Sequence, residues 1–473
     1  MDCDQILKNL RQICGIDPQR PVLAGISGGP DSICLLDLLH RFEINTIAAH
    51  LDHSLRSESA SEADFVARKC DEYEIPFVSK KIDVAEFSRQ KSLAIEEAAR
   101  ELRYEFLFEE AQKAGAQAVM VAHHADDQVE TILMHLMRGS GLSGLAGMRL
   151  LLLPNPWSKT IPLIRPLLYT WRDEIIDYCH HRGLDFVRDQ SNLDTRYYRN
   201  RIRHELIPML QTYNPQIKQR LQKASEVIGS EEDFLQSMVE EVFDDVMVQK
   251  NERFIEFKRE RMKVLHPALI RRIVRKSIFM LNQSLRDVDF DTVERGVNFI
   301  RELNRSNQEV LCAGLSIFSG FHDRLVIAFD DDPLLDLWPQ LMTRSQLSLP
   351  THGAICINEK WIVSTQEVDE WKPVNDPFVC QIDIGQLTEQ LVINTVQPGD
   401  RFMPYGMNGK VKKLSDFWTN EGLPSRARKL WPLVRSGDQI IWVPGFRIAE
   451  TVKVTKATKH ILQIEVKKND PAV

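Results

Sequence analysis

At 473 residues the chain is longer than one hydrophobic core usually supports, so roughly two to four domains are expected. Its 43% hydrophobic and 27% charged residues exclude a disordered or membrane-embedded chain, and a net charge of -7 argues against wholesale coating of nucleic acid while leaving local basic faces open. The eight cysteines are scattered with no Cys-x-x-Cys pair, which disfavours a zinc or iron–sulfur site. The start Met1-Asp2-Cys3-Asp4 is no basic-plus-apolar leader and no long uncharged apolar run follows, so a reducing, cytoplasmic setting without a membrane partner is expected.

The first apolar run, Val22-Leu23-Ala24-Gly25-Ile26, reads as a strand. It is followed by Ser27-Gly28-Gly29-Pro30-Asp31-Ser32 and then by the helical run Ile33-Cys34-Leu35-Leu36-Asp37-Leu38-Leu39. Two glycines let the backbone turn sharply and approach a ligand, and the free N–H groups at the helix start favour an anion such as a phosphate. Glycine as turn geometry, with Asp31 and Ser32 as caps, accounts for the same string equally well. Further strands are expected at 45–52, 76–82 and 118–122, alternating with helices at 61–74, 92–114, 126–138 and 170–182. Such alternation predicts a parallel sheet covered on both faces, with ligands at the carboxyl ends of its strands. Beyond Pro215 the pattern changes to helices of mixed charge, notably 218–249 and 267–281. Residues 331–384 are poorly legible apart from short alternations such as Trp361-Ile362-Val363, and the tail mixes short apolar runs with Pro-Gly turns.

Three segments carry candidate chemistry. In His123-His124-Ala125-Asp126-Asp127-Gln128-Val129-Glu130-Thr131, the carboxylates could hold Mg²⁺ or orient an amine. Alternatively Asp126 caps the helix and Glu130 is solvated. In Glu96-Glu97-Ala98-Ala99-Arg100-Glu101-Leu102-Arg103-Tyr104, Arg100 and Arg103 share a face, as they would on any salt-bridged surface helix. From Arg188 to Lys223 eight basic residues stand against three acids, and Arg196, Arg199, Arg201 and Arg203 with Tyr197 and Tyr198 suit phosphate contact and base stacking. A charged linker helix fits the same composition.

Ser-Gly-Gly-x-Asp-Ser after a first strand resembles the pyrophosphate loop of the ATP pyrophosphatases, the PP-loop superfamily, and lacks the Gly-Lys-Ser/Thr of a Walker loop. Over residues 20–210 the ordered series is similar to the tRNA(Ile)-lysidine synthetase family. The series comprises that loop, His50-Leu51-Asp52-His53-Ser54-Leu55-Arg56, Glu-Ala-Ala-Arg-x-x-Arg-Tyr, His-His-x-x-Asp-Asp-Gln-x-Glu-Thr, Arg138-Gly139-Ser140-Gly141 and Asp-x-Ser-Asn-x-Asp…Arg-Asn-x-Ile-Arg. Pro398-Gly399-Asp400-Arg401, Lys412-Lys413-Leu414-Ser415-Asp416-Phe417 and Trp442-Val443-Pro444-Gly445-Phe446 resemble that family's C-terminal domain.

The resemblance implies an α/β fold: a parallel-sheet PP-loop ATP pyrophosphatase domain (adenine nucleotide α-hydrolase-like) over 1–215. A helical tRNA-contacting domain at 216–330, a linker or subdomain at 331–384 and an α+β tRNA-binding domain at 385–473 follow. It implies ATP and Mg²⁺ as cofactors and L-lysine and tRNA(Ile) with a CAU anticodon as partners, with a homodimer among the partner expectations. The implied reaction adenylates the wobble cytidine and joins lysine to its carbon 2, releasing AMP and pyrophosphate. Ser27, Gly28, Gly29, Pro30, Asp31 and Ser32 are then expected to bind ATP, with Asp31 as the Mg²⁺ ligand. Asp31, Asp127, Arg103 and Arg203 are expected to be catalytic, and Arg100, Arg103, Asp127 and Arg203 to bind lysine. Arg196, Arg199, Arg201, Lys412, Lys413, Arg426 and Arg428 are expected on tRNA; residues 410–435 hold seven basic side chains against two acids, interleaved with Phe417, Trp418 and Trp431. A tRNA thiolation enzyme is the nearest rival and a non-catalytic, ATP-sensing RNA-binding protein a second. The absence of Cys-x-x-Cys argues against the first.

Overall fold

A computed structural model describes residues 1–52, 59–187, 195–283, 288–302, 308–312, 314–321, 323–343 and 346–469. The chain divides into two compact units, Met1–Gln236 and Ser237–Val473.

In the first unit β1 (Val22–Gly25), β2 (Thr46–Asp52), β3 (Phe77–Lys81), β4 (Val119–Val121), β5 (Leu151–Leu152) and β6 (Leu163–Ile164) form one sheet in the order β3-β2-β1-β4-β6-β5. Every pairing is parallel except β5 with β6. Parallel strands are buried on both faces, which is why β1 reads as an unbroken apolar run. One face packs Ile33, Leu36 and Leu39 of the helix Pro30–Arg41 with Ile175 and Cys179 of the helix Arg172–Arg182. The other packs Leu102, Tyr104, Leu107 and Ala111 of the helix Ile95–Lys113. The pyrophosphate-like loop and His123 thus leave the carboxyl ends of the adjacent strands β1 and β4, where ligands bind in such sheets.

The helices expected at 218–249 and 267–281 are present as Ile217–Val246 and Pro267–Asn282; in the second unit the latter, with the unexpected helix Phe290–Arg301, packs on a five-stranded antiparallel sheet that periodicity did not signal. The strands of that sheet, Met247–Lys250, Phe254–Lys258, Gln308–Cys312, Leu315–Ser319 and Arg324–Phe329, are short, and Phe254–Lys258, Leu315–Ser319 and Arg324–Phe329 bury residues on both faces, so period-two alternation is weak there. The segment 331–384 supplies the strand Trp361–Val368, which pairs along its length with Ile461–Lys468 and so ties this stretch to the tail.

Candidate active site

The loop between β1 and the helix Pro30–Arg41 is shaped by one hydroxyl. Ser32 Oγ accepts from the backbone N–H groups of Ser27 (3.2 Å) and Gly28 (3.1 Å) and donates to the Gly29 carbonyl (2.9 Å). Gly28 sits at φ +87, where a side chain would be strained. No side chain caps the helix at Gly29, so its first-turn N–H groups remain open to an anion.

Asp31 enters this opening from the first turn. Its Oδ2 lies 3.4 Å from Arg172 Nη1 and 3.7 Å from His124 Nε2, while its Oδ1 is buried without a hydrogen-bond partner. Burial, aided by the Asp127 charge, pushes its carboxyl above the usual range against the pull of His124 and Arg172. A buried, unshared carboxylate oxygen fits the magnesium that the resemblance implies. Mg²⁺ typically takes one or two carboxylates plus phosphate and water oxygens. Among the described residues no cluster of three His, Cys, Asp or Glu forms a metal cage, so nucleotide phosphates and water would complete the shell.

The helix Ala125–Met137 supplies the facing wall. His124, not Asp126, is its N-cap, and Asp127 closes a capping box by accepting from the His124 N–H at 3.0 Å. Ile202 and Ile207, on the helical stretch that follows Tyr197, pack on Val129 and Leu133. That packing turns Arg199 and Arg203, one turn apart, toward the acids. Arg199 Nη2 reaches Asp127 Oδ1 at 2.8 Å and its Nε reaches Glu130 at 2.6 Å. Arg203 holds Glu130 through Nε (2.6 Å) and Nη2 (3.1 Å) and lies 3.6 Å from Asp127. Burial works against the Asp127 charge but is outweighed, chiefly by His124 and Arg199, so this carboxyl is held well below the usual range. Glu130, fully buried at 0% exposure, is the centre of the clamp rather than a solvated residue. Its spacing of three from Asp127, amid the apolar Val129, Ile132 and Leu133, was the available signal for that inward face.

Asp126 differs from its neighbour. It accepts from the Arg172 N–H at 2.9 Å, capping the next helix, and pairs with Lys218. Arg100 and Arg103 lie over the Tyr104 ring at 5.0 and 6.0 Å, and the Arg103 charge acts on Asp127 and Arg199. Arg199, expected on tRNA, is instead occupied by two carboxylates, and Arg201 lies 3.6 Å from Glu205. His53, Ser54, Leu55 and Arg56 of the His50 motif and the start of the Asp189 motif lie outside the described residues.

In the tail the basic cluster splits in two. Arg426 donates to the carbonyls of Phe329 (2.7 Å), Asp330 (3.1 Å) and Asp332 (3.2 Å) and lies over Phe318. Arg428 donates to Leu423 O and Thr419 Oγ1. Arg435 is buried against Asp400 and Asn394, and Phe417, Trp418 and Trp431 are core residues. This corrects the expectation for Arg426 and Arg428: their guanidiniums hold backbone, and the interleaved aromatics stack on no base. Lys410, Lys413 and Lys429 are exposed and Lys412 half-buried.

The comparisons with known proteins agree with this architecture. Residues 3–210 match the PP-loop domain family and residues 391–466 the TilS substrate C-terminal domain. The tRNA(Ile)-lysidine synthase of Clostridium tetani is 31% identical over 98% of both chains, and that of Dehalococcoides mccartyi 30% over 94% of both. The synthase of Geobacillus kaustophilus is 34% identical over 90% of both. Relatives that match from end to end, and an acid–arginine clamp beside a pyrophosphate loop, lead to one assignment: the chain belongs to the tRNA(Ile)-lysidine synthase family.

Proposed function

We propose that the chain uses ATP and Mg²⁺ to join L-lysine to carbon 2 of the wobble cytidine of tRNA(Ile) with a CAU anticodon, releasing pyrophosphate and then AMP. The observation that carries this reading is His124, whose Nε2 stands 3.7 Å from Asp31 and 3.5 Å from Asp127. The phosphate-facing carboxylate and the acid–arginine clamp therefore belong to one site.

The cytosine oxygen on carbon 2 is a poor leaving group until it becomes a phosphate ester. In the first step that oxygen attacks the α-phosphorus and pyrophosphate departs toward the open N–H groups of the helix's first turn. Asp31 would hold the magnesium, which supplies neutralisation of the phosphate charge. Arg203, and the exposed Arg103 that shares its charge environment, stabilise the anion that develops. In the second step the lysine ε-amine, oriented by the ionised Asp127, attacks carbon 2, the bond from that carbon to the phosphate-ester oxygen breaks to release AMP, and the amine proton passes to solvent water.

Docking of tRNA away from the anticodon is assigned to the exposed Lys410, Lys413 and Lys429, with the half-buried Lys412 beside Lys413. Stacking passes from the buried aromatics to the exposed Trp371 and Tyr405, which flank a cavity of about 420 Å³ with Arg447. The test is sustained pyrophosphate release by the purified protein with tRNA(Ile), ATP and lysine, omitting each in turn. Release over many turnovers that requires all three is expected; sustained release independent of lysine contradicts the reading.

A further inference from the structure

Among the described residues of the first unit, four buried polar atoms have no hydrogen-bond partner: Asp31 Oδ1, Tyr104 Oη, His123 Nδ1 and Arg165 Nε. The first is explained by a cation. The other three lie together. His123 stands two residues beyond β4, and Arg165 directly follows β6. Those strands pair through Val119 with Leu163 and Met120 with Ile164, so both side chains leave the same sheet edge on neighbouring strands. Tyr104 packs in one apolar cluster with Val119 and Leu163, and its ring stacks on Trp157 at 4.0 Å.

Arg165 is 3% exposed and Tyr104 1%. The Arg165 guanidinium is held by Nη1 donating to the Arg149 carbonyl at 2.7 Å, and among the described residues no carboxylate pairs with it. Arg100 adds a second cation over the Tyr104 ring. A buried cation with no counter-ion, next to a phenol hydroxyl with no acceptor, is costly unless an anion completes the set. Both side chains are almost closed to solvent, which leaves them to a small terminal anion rather than to a phosphodiester joining two nucleosides. On the proposed reaction, the free terminal anion to be placed is the carboxylate of the amino acid.

We propose that Arg165 and Tyr104 bind the α-carboxylate of the lysine substrate, with the exposed Arg100 beside them, and that this contact selects an amino acid over a simple amine. His123 adds no competing cation, because burial first, and then the neighbouring arginines, keep its imidazole neutral. The inference rests on the proposed use of lysine.

The test compares wild type, Tyr104→Phe and Arg165→Lys with lysine and with 1,5-diaminopentane, which keeps the nucleophilic amine and lacks the carboxylate. Each variant is expected to raise the KM for lysine about 10- to 100-fold, the range for removing a charge-assisted hydrogen bond. The KM for ATP and for tRNA should stay unchanged, and the preference for lysine over the diamine should shrink by the same factor. Tyr104→Phe removes only one oxygen, so it reports even if Arg165→Lys is poorly folded. An unchanged lysine KM and preference overturns the proposal, as does a rise confined to the tRNA KM, which marks Arg165 and Tyr104 as a phosphate site. Failure of the underlying reading is distinct: wild type itself then shows no lysine-dependent, sustained pyrophosphate release.

Discussion

Asp126 and Asp127 are adjacent and chemically identical, yet their surroundings separate them. Asp127 faces Arg199, Arg203 and His124, whereas Asp126 caps the helix Arg172–Arg182 and pairs with Lys218. Asp127→Asn is therefore expected to lower kcat/KM by about 100-fold or more, the effect of removing a charge-assisted interaction at a reacting centre, and Asp126→Asn by less than about tenfold. Asp126→Ala should instead cost about 1 kcal/mol of stability, as removal of a helix cap does, measured by urea unfolding. Equal effects of the two Asn variants on turnover would contradict the division. At this scale the sequence was informative about residue type and silent about partners. The motif placed carboxylates at the end of β4, but that Glu130 is buried between two arginines depends on Ile202 and Ile207, more than seventy positions away, packing on its helix. Arg426 is the converse: a basic residue in a basic run, whose partners are three carbonyls from a segment about a hundred residues earlier.

The helix that carries the loop is fixed at its far end by a buried carboxylate. Asp37 accepts from Tyr73 (2.9 Å) and Tyr178 (2.5 Å) and pairs with Arg182 at 3.4 Å, joining the helix Pro30–Arg41 to the helix Arg172–Arg182 and to the end of the helix Ser59–Glu72. Burial opposes its charge, but hydrogen bonds from Tyr178, Arg182 and Tyr73 outweigh that cost and hold the carboxyl below the usual range. A carboxyl lowered in the folded state contributes stability that is present above its unfolded value near 4 and lost as the pH falls through its folded value. Unfolding free energy followed downward from pH 7 should fall in that acid window, and Asp37→Asn should flatten part of the fall. It should also cost about 1–3 kcal/mol at pH 7 by weakening the charge-assisted hydrogen bonds around a buried group. A pH dependence identical to wild type would contradict this. Elements were legible where an apolar run or a helical stretch was long enough to stand out, as in β1, β2 and the helix Ile95–Lys113. They were not legible where strands shrink to two residues, as in β5 and β6, because two positions cannot display a period.

Across the whole molecule the charges sort by unit. The first carries the clamp and the uncapped helix start, and the second carries exposed lysines while its arginines 426, 428 and 435 are occupied by its own backbone and by Asp400. Changing Lys410, Lys412, Lys413 and Lys429 to Ala is expected to weaken tRNA binding with ATP binding preserved. For every phosphate no longer neutralised, the log-log salt slope should fall by about 0.7 to 0.9. Arg426→Ala should act on the thermal midpoint instead, and an unchanged slope in the lysine variant would mark that face as solvated surface only. The tail's place in the family was legible from its turns and aromatic positions. Which of its cations reach solvent was not, because that is decided by carbonyls and carboxylates distant in sequence.

The central claim is that one site adenylates the tRNA and then transfers lysine, and Asp31→Ala tests it most directly. AMP formation is followed for wild type and variant with tRNA(Ile), ATP and lysine, and the digested tRNA is analysed for lysidine. The account predicts that wild type forms AMP and lysidine together, and that Asp31→Ala forms neither while unfolding at the wild-type midpoint. AMP formation by a folded Asp31→Ala near the wild-type rate, or AMP formed by wild type without lysidine, would contradict it.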